Sequence, residues 1–305
     1  MRTKIFLIIV ILTAYIGNAQ QDAQYTQYMY NTISINPAYA GSRGAMSIFG
    51  MHRTQWVGLD GAPVTNVASI HTPLNNSNLG LGISFVNDRI GLINENTISA
   101  DLSYTIVGSG NYKLSFGMKA SANLFNLDIT KANPVDPFPI DPSMQNINND
   151  FSPNIGAGLY LHSDKAYVGF SIPNFIESNR YDDNERRIFK DKINYYLMAG
   201  YVFDLSDDVK FKPAALSKLV QGAPLQVDVS GNMMFYEKFT VGVAYRWSAA
   251  LSAMVGFQVS DGMYIGYGYD RETTRLKNYN SGSHEIFLRY EIFKNNDKIS
   301  TPRFF

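Results

Sequence analysis

From about residue 44 onward, apolar and polar side chains alternate along the chain with a period of two. Residues 98–106, 114–123 and 154–161 are clear examples, and their polar positions include Asp101 and Lys119. Successive side chains of a β-strand point to opposite faces, so each stretch predicts a strand with one apolar and one polar face. A soluble sheet core does not need charged residues on its second face along so many strands. A transmembrane barrel, with lipid outside and a polar lumen, does.

Fourteen segments carry this alternation, and most have the roughly 9–11 residues that cross a bilayer at a tilt. They are about residues 44–56, 64–74, 79–91, 96–108, 112–128, 152–162, 165–175, 193–205, 209–219, 224–236, 239–247, 250–260, 263–270 and 283–293. An even number is expected when both termini lie in the periplasm. The pattern therefore predicts an all-β fold, an antiparallel transmembrane β-barrel of about 14 strands within residues 44–293.

The predicted connections sort by length in a way that supports a barrel. Connections from even to odd strands are short polar turns, at residues 75–78, 109–111, 163–164, 206–208, 237–238 and 261–262. The three long connections, 129–151, 176–192 and 271–282, all join odd to even strands. Short periplasmic turns and longer outer loops are typical of outer-membrane barrels, whereas a soluble β-sandwich has no reason to sort its loops this way.

The N-terminus has the features of a secretory signal peptide over residues 1–19. Arg2 and Lys4 precede an apolar run from Ile5 to Ile16, and small residues then predict cleavage after Ala19. No later segment approaches the roughly 18 apolar residues of a membrane helix. We therefore expect export from the cytoplasm and insertion into the outer membrane as a barrel, with residues 294–305 as a C-terminal tail.

Residues 20–43 precede the first predicted strand and alternate poorly. Pro37 disfavours a central strand, and the mixture of amide and aromatic side chains suits a segment packed inside a polar lumen. We interpret 20–43 as an N-terminal plug or a periplasmic arm. A flexible leader without a role is the alternative.

Composition removes several classes of function. The 26 basic and 26 acidic residues balance, so the basic excess of a nucleic-acid-binding protein is absent and no nucleic-acid partner is expected. The sequence has no cysteine, which excludes thiol catalysis, disulfides and a lipoprotein anchor. The 20 Tyr and 19 Phe fit aromatic girdles at the two membrane interfaces, with outer-membrane lipid as the surrounding partner.

The search for chemistry gives no catalytic, cofactor-binding or metal-binding residues. The four histidines are isolated from one another in sequence, and neither a G-x-S-x-G motif nor a phosphate-binding loop occurs. Asp136, Asp141 and Asp150 could together bind Ca²⁺, but the prolines among them favour a stiffened solvent loop. We predict that the protein is not an enzyme and needs no cofactor.

A few strand residues have a structural interpretation. Arg53 is expected to be a lumen charge, and Trp56 a girdle aromatic. The glycine pairs Gly80/Gly82 and Gly266/Gly268 lie within strands, where they relieve crowding or bend the barrel wall.

Motifs spread along the mature chain resemble those of the PorP/SprF family. The N-terminal signature is Gln24-Tyr25-Thr26-Gln27-Tyr28-Met29 followed by Asn36-Pro37-Ala38-Tyr39-Ala40-Gly41-Ser42. The resemblance continues through Gln55-Trp56, Gly61-Ala62-Pro63, Tyr167-Val168-Gly169-Phe170-Ser171, Gly222-Ala223-Pro224, Tyr267-Gly268-Tyr269-Asp270 and the closing Pro302-Arg303-Phe304-Phe305. The matching motifs follow one another in order over essentially the whole mature chain.

The resemblance implies an outer-membrane component of the type IX secretion system that supports gliding motility. Such a protein would help export or anchor large adhesin-like surface proteins that carry a type IX C-terminal sorting domain. It would also associate with periplasmic, peptidoglycan-linked components of the system. The signature residues are candidates for partner contact or for the plug: Gln24, Tyr28, Asn36, Pro37, Tyr39 and Gly41.

Two other functions remain open at this level. Fourteen strands and an N-terminal plug also describe an outer-membrane channel or transporter for small or hydrophobic solutes. An adhesin or structural barrel independent of secretion is the third possibility.

Overall fold

The structure, a computed structural model, describes residues 28–75, 77–108, 111–131, 146–177, 179–181, 187–190 and 192–293. Several sequence-based expectations fall outside these ranges. They are the signal peptide 1–19 with cleavage after Ala19, Gln24, the middle of the connection 129–151, and the tail 294–305.

Fourteen antiparallel strands form one closed barrel, as the alternation predicts. In chain order they are β1 Met46–Thr54, β2 Val64–Pro73, β3 Leu79–Ile90, β4 Ile93–Val107, β5 Lys113–Leu127, β6 Ile147–His162, β7 Ala166–Ile172, β8 Asn194–Tyr201, β9 Val209–Val220, β10 Gln226–Phe235, β11 Phe239–Arg246, β12 Ala250–Ser260, β13 Met263–Glu272 and β14 Ser283–Ile292. Each strand pairs with its neighbours in sequence, and β14 pairs with β1 to close the barrel.

Two short pieces of strand accompany the barrel. Phe203–Asp204 follows β8 after Val202 and continues its pairing with β9. Asn179–Tyr181 and Arg187–Lys190 form a separate two-stranded hairpin between β7 and β8. This hairpin lies within the connection that the sequence predicts as the loop 176–192.

Side chains sort strictly between the two faces of the barrel. On β4, Ile98 and Leu102 face outward and are about half exposed, whereas Ser99, Asp101 and Ser103 face inward and are buried. The other strands repeat the alternation, with some apolar inward residues such as Phe49, Met198 and Phe287. Because the sheet is closed, it has no unpaired strand edges. Its apolar outer surface suits hydrocarbon rather than water. In the described part of the chain, no helix has the length and apolarity needed to cross a membrane.

The two ends of the barrel differ as the loop lengths predict. The even-to-odd turns join strands at the same end as the start of β1 and the finish of β14, and short turns are typical of the periplasmic end of such barrels. The long connections join strands at the opposite end, which we call the outer end. Strand β6 begins at Ile147 rather than at about residue 152, and β7 ends at Ile172 rather than at about residue 175. The long connections are therefore placed slightly differently from the prediction.

The connection between β1 and β2 is braced against the outer end of β13 and β14. The Val57 N–H donates to the carbonyl oxygen of Gly282 at 2.9 Å, and the Ser281 N–H donates to that of Val57 at 2.8 Å. The indole Nε1 of Trp56 donates to Glu272 Oε1 at 2.9 Å. Trp56, which the sequence suggests as a girdle aromatic, thus links the connection between β1 and β2 to the outer end of β13.

Replacing Ile98 by arginine tests the lipid-facing surface. Ile98 is 56% exposed, near mid-height on β4, and faces outward. A charged side chain at the bilayer midplane of a barrel costs about 2–4 kcal/mol, so Ile98→Arg should lower the free energy of unfolding by that amount. Denaturant titration in lipid vesicles measures it. Thr97→Arg, on the inward face of the same strand, is the control and should cost much less; equal losses would contradict a lipid-facing Ile98.

Candidate functional site inside the barrel

Residues 28–45, hereafter the inner segment, lie inside the barrel. They form three short 3-10 turns, Tyr28–Tyr30, Thr32–Ser34 and Pro37–Tyr39. The third turn is encoded locally: proline at its first position has a suitable fixed φ, and the Asn36 side chain caps it by accepting from the Ala38 N–H at 3.0 Å. Between residues 28 and 40 only Ser34 is not fully buried.

Inward side chains of the barrel donate hydrogen bonds to carbonyl oxygens of the inner segment. Ser103 of β4 donates to Ala40 at 2.6 Å, and Ser171 of β7 donates to Ile35 at 2.7 Å. Lys119 of β5 reaches the carbonyl oxygens of Ile33 and Ser34, each at 3.3 Å. An irregular segment buried in a membrane protein must satisfy its backbone groups in this way.

The inner segment also donates hydrogen bonds to the barrel. The Asn36 Nδ2 donates to the Leu159 carbonyl oxygen at 3.0 Å, so this side chain both caps its own turn and fastens it to β6. The Gly41 N–H donates to His71 Nδ1 at 3.2 Å. Because both Oδ1 and Nδ2 of Asn36 form hydrogen bonds and the residue is fully buried, it is the central polar contact of the segment.

Inward-facing glycines provide the space in which the inner segment packs. A Cβ built on Gly117 would lie 2.1 Å from the backbone nitrogen of Ala38, and one on Gly158 would lie 2.1 Å from Asn36 Oδ1. A Cβ on Gly80 would lie 2.3 Å from the Ala40 carbonyl oxygen. The sequence interpretation assigned Gly80 to crowding or bending; the crowding partner is the inner segment.

Aromatic rings fix the inner segment at two places. Tyr30 stacks on Tyr264, with ring centroids 5.4 Å apart, and lies 4.8 Å from Phe287. Tyr39 meets Tyr160 edge to face at 5.4 Å. Offset and edge-to-face pairs at these separations are favourable beyond their buried area.

Several buried charges on the inner face are paired. Arg53 of β1 donates to Asp270 of β13 at 2.6 Å and to Glu285 of β14 at 3.0 Å, and all three side chains are nearly inaccessible. Arg43 of the inner segment pairs with Glu291. The lumen position that the sequence suggests for Arg53 agrees with these contacts.

The signature residues that the structure describes are brought together, although sequence analysis named no partners for them. Tyr28, Asn36, Pro37 and Tyr39 are buried within the barrel, and Gly41 is half-buried with a φ of +72°. The residues that sequence reasoning missed are their contacts on the strands: Ser103, Ser171, Lys119, Gly117 and Gly158. A small residue at an inward position is the signal that could have pointed to the serines and glycines, and a charge on the predicted inward face is the signal for Lys119.

The described residues include no group of His, Asp or Glu side chains suited to hold a metal ion. What the inner face offers is hydrogen bonding, ring packing and paired charge around the inner segment. These are features of an integral outer-membrane β-barrel whose lumen contains part of its own chain.

Comparison with known proteins identifies the family. The family described as "Type IX secretion system membrane protein PorP/SprF" matches residues 17–290, and the chain belongs to this family. It is therefore a type IX secretion-associated protein of the outer membrane, and neither its family nor its fold is that of an enzyme class. No curated protein matches the sequence.

Solved barrels with which the chain aligns share little sequence with it. The CymD monoaromatic hydrocarbon channel is 13% identical with a TM-score of 0.49, and the alignment covers 91% of this chain and 95% of that one. A Pseudomonas aeruginosa FadL homologue is 14% identical with a TM-score of 0.44, covering 81% and 89%. The KdgM porin is 12% identical with a TM-score of 0.36, covering 81% and 99%.

Proposed function

We propose that the protein supports the export or surface anchoring of large adhesin-like proteins that carry a type IX sorting domain, and that it does so as a closed barrel. The observation that carries the proposal is the inner segment. It is held by hydrogen bonds from at least four strands and packs against inward glycines. A lumen filled in this way favours an anchoring role over passage of a polypeptide through the barrel.

The outer connections are the surface that we assign to the secreted partner. Connections 128–146, 173–193 and 273–282 join strands at the outer end, where a folded sorting domain would arrive. The bracing of Val57 against Ser281 and Gly282 gives part of this surface a fixed shape. Loops on a rigid scaffold are where binding residues concentrate.

The periplasmic end is assigned to the other partners. The inner segment leads into β1 at this end, where the connections between strands are short. Peptidoglycan-linked components of the secretion system would contact the barrel here, and residues 20–43 would either fill the lumen, as a plug, or extend to these components. Gln24 belongs to this hypothesis, although it lies outside the described residues.

Deleting residues 132–145 tests the outer surface. These residues are chosen because β6 starts at Ile147, so deletion of the whole predicted loop 129–151 would remove part of a strand. The deletion should abolish adhesin display on intact cells, measured by antibody labelling, while the barrel keeps its heat-modifiable gel mobility. Replacing Glu237 and Lys238, in a periplasmic turn, by serine is the control. Unchanged display by the deletion variant would remove this connection from the proposal.

A channel for small or hydrophobic solutes is the alternative. It requires an open lumen or one that opens readily, and the inner segment counts against it. Single-channel conductance of the purified protein in planar bilayers separates the two functions, because a closed anchor should be nearly silent.

A further inference from the structure

A cavity of about 180 Å³ lies inside the barrel on the outer side of the inner segment. Ser34 and Ile35 form its floor, and inward residues of β3 to β6, with Tyr196 of β8, form its sides. Since a protein cavity of about 150 Å³ can bind benzene, this one is large enough for one small organic molecule.

Neutral hydrogen-bonding side chains line the middle of this cavity at one height. Ser84, Ser99 and Ser121 are paired in register across β3, β4 and β5, and Asn154 of β6 is paired with Ser121. The next inward level toward the exterior repeats this chemistry with Thr97, Asn123 and Ser152. The Asn154 amide is already bonded to the backbone of Ile155 and Ile176, so these two levels present hydroxyl groups and the Asn123 amide, which both donate and accept.

One of these groups is buried without a partner. Ser84 is 2% exposed, and its Oγ makes no hydrogen bond among the residues that the structure describes. Buried polar groups in folded proteins are almost always hydrogen-bonded, because leaving one unsatisfied is costly. Ser84 lines the cavity, but its Oγ has almost no accessible surface, so a ligand or solvent molecule there would satisfy it after rotation of the side chain about χ1.

The charges around the cavity balance and are mostly engaged elsewhere. Lys119 contacts Asp101 at 3.4 Å as well as the inner segment, and Lys192 donates to the Gln221 carbonyl oxygen at 2.8 Å. Asp88 accepts from Thr65 at 2.6 Å. No unbalanced charge therefore selects an ion, and the hydroxyl and amide groups determine what is recognised.

We propose that this cavity binds a neutral polyhydroxylated molecule of about the size of one sugar ring, which enters from the outer end of the barrel. Its hydroxyl groups would exchange hydrogen bonds with Ser84, Ser99 and Ser121. The ring of Tyr196 on the opposite side offers an apolar face for its C–H groups. This site is independent of the proposed anchoring function, since neither requires the other.

Saturation-transfer difference NMR on the full mature chain tests the site. The protein is purified in dimethylamine-oxide detergent, because a maltoside detergent would itself supply sugar. Methyl β-D-glucopyranoside and methyl β-D-galactopyranoside are the neutral probes, and glucuronate and glucosamine are charged comparisons. At least one neutral glycoside should show saturation transfer, and both charged sugars should show less.

A pair of variants on β4 tests whether the saturation transfer comes from binding in the cavity. Ser99→Leu places a bulky apolar side chain in the cavity and should reduce the transfer to background, whereas Ala100→Leu adds the same side chain to the lipid-facing surface and should leave it unchanged. Heat-modifiable mobility establishes that both barrels are folded. If Ser99→Leu does not fold, Ser84→Ala should weaken the transfer instead. Absence of transfer from both neutral probes, stronger transfer from a charged sugar, or equal signals from the two leucine variants would overturn the proposal in favour of a cavity filled by water alone.

Discussion

Replacing Gly117 by valine should turn a silent barrel into a conducting one. A Cβ at this position would lie 2.1 Å from the backbone nitrogen of Ala38, so the third 3-10 turn of the inner segment cannot stay where it is. Its displacement would break the nearby bond between Asn36 and Leu159 and free part of the lumen. Planar-bilayer recording should show discrete conductance steps for the variant and almost none for the parent protein.

Two further variants make this experiment decisive. Gly158→Val meets Asn36 Oδ1 at 2.1 Å and should conduct by the same route from a different strand. Gly50→Val is the matched control, because a Cβ there meets nothing within 4 Å, and it should remain silent. Folded but silent barrels from both Gly117→Val and Gly158→Val would mean that the inner segment does not close the lumen.

The second large effect is a loss of stability, which we expect from the substitution Arg53→Met. Arg53 neutralises Asp270 and Glu285 at 2.6 and 3.0 Å in a site where all three side chains are almost inaccessible. Removing one member of a buried charged group leaves the others unpaired, which costs about 3–5 kcal/mol. Urea unfolding in vesicles, followed by tryptophan fluorescence, should show a loss of that size in the free energy of unfolding.

Two further variants separate the effect of unpaired charge on stability from the effect of lost packing. The triple variant Arg53→Met/Asp270→Asn/Glu285→Gln leaves no unpaired charge and should regain a large part of the lost stability. Arg275→Met, an exposed position between β13 and β14, serves as the control and should change stability by less than about 0.5 kcal/mol. If Arg53→Met matched this control, the buried charges would contribute nothing measurable.

The barrel could be predicted from sequence because the alternation within each strand shows which of its two faces is apolar. Alternation at Ile98, Ser99 and their neighbours distinguishes lipid from lumen without any knowledge of the partner strand. Strand ends were less accurate: the sequence placed the start of β6 at about residue 152, and it lies at Ile147. There β6 pairs with β5 through a register shift between Phe125 and Leu127, which no single strand's pattern reveals.

The candidate site could be predicted only in part. Asn36-Pro37 encodes a capped turn unsuited to a strand, which made residues 20–43 a plausible plug or arm. The side chains that hold the described portion of it, such as Ser103 and Ser171, are ordinary inward serines when read along their own strands. Their role depends on hydrogen bonds across 63 and 136 residues of sequence.

The sequence by itself determined the class of fold and the number of strands, since both follow from local periodicity and loop length. Only the tertiary structure decided which inward residues meet: the glycines beneath Ala38 and Asn36, the charges around Arg53, and the hydroxyl-lined cavity beside Ser84. The physical reason is closure. Bringing β14 against β1 sets distant strands facing one another across the lumen, and no pattern within a strand specifies what it will face.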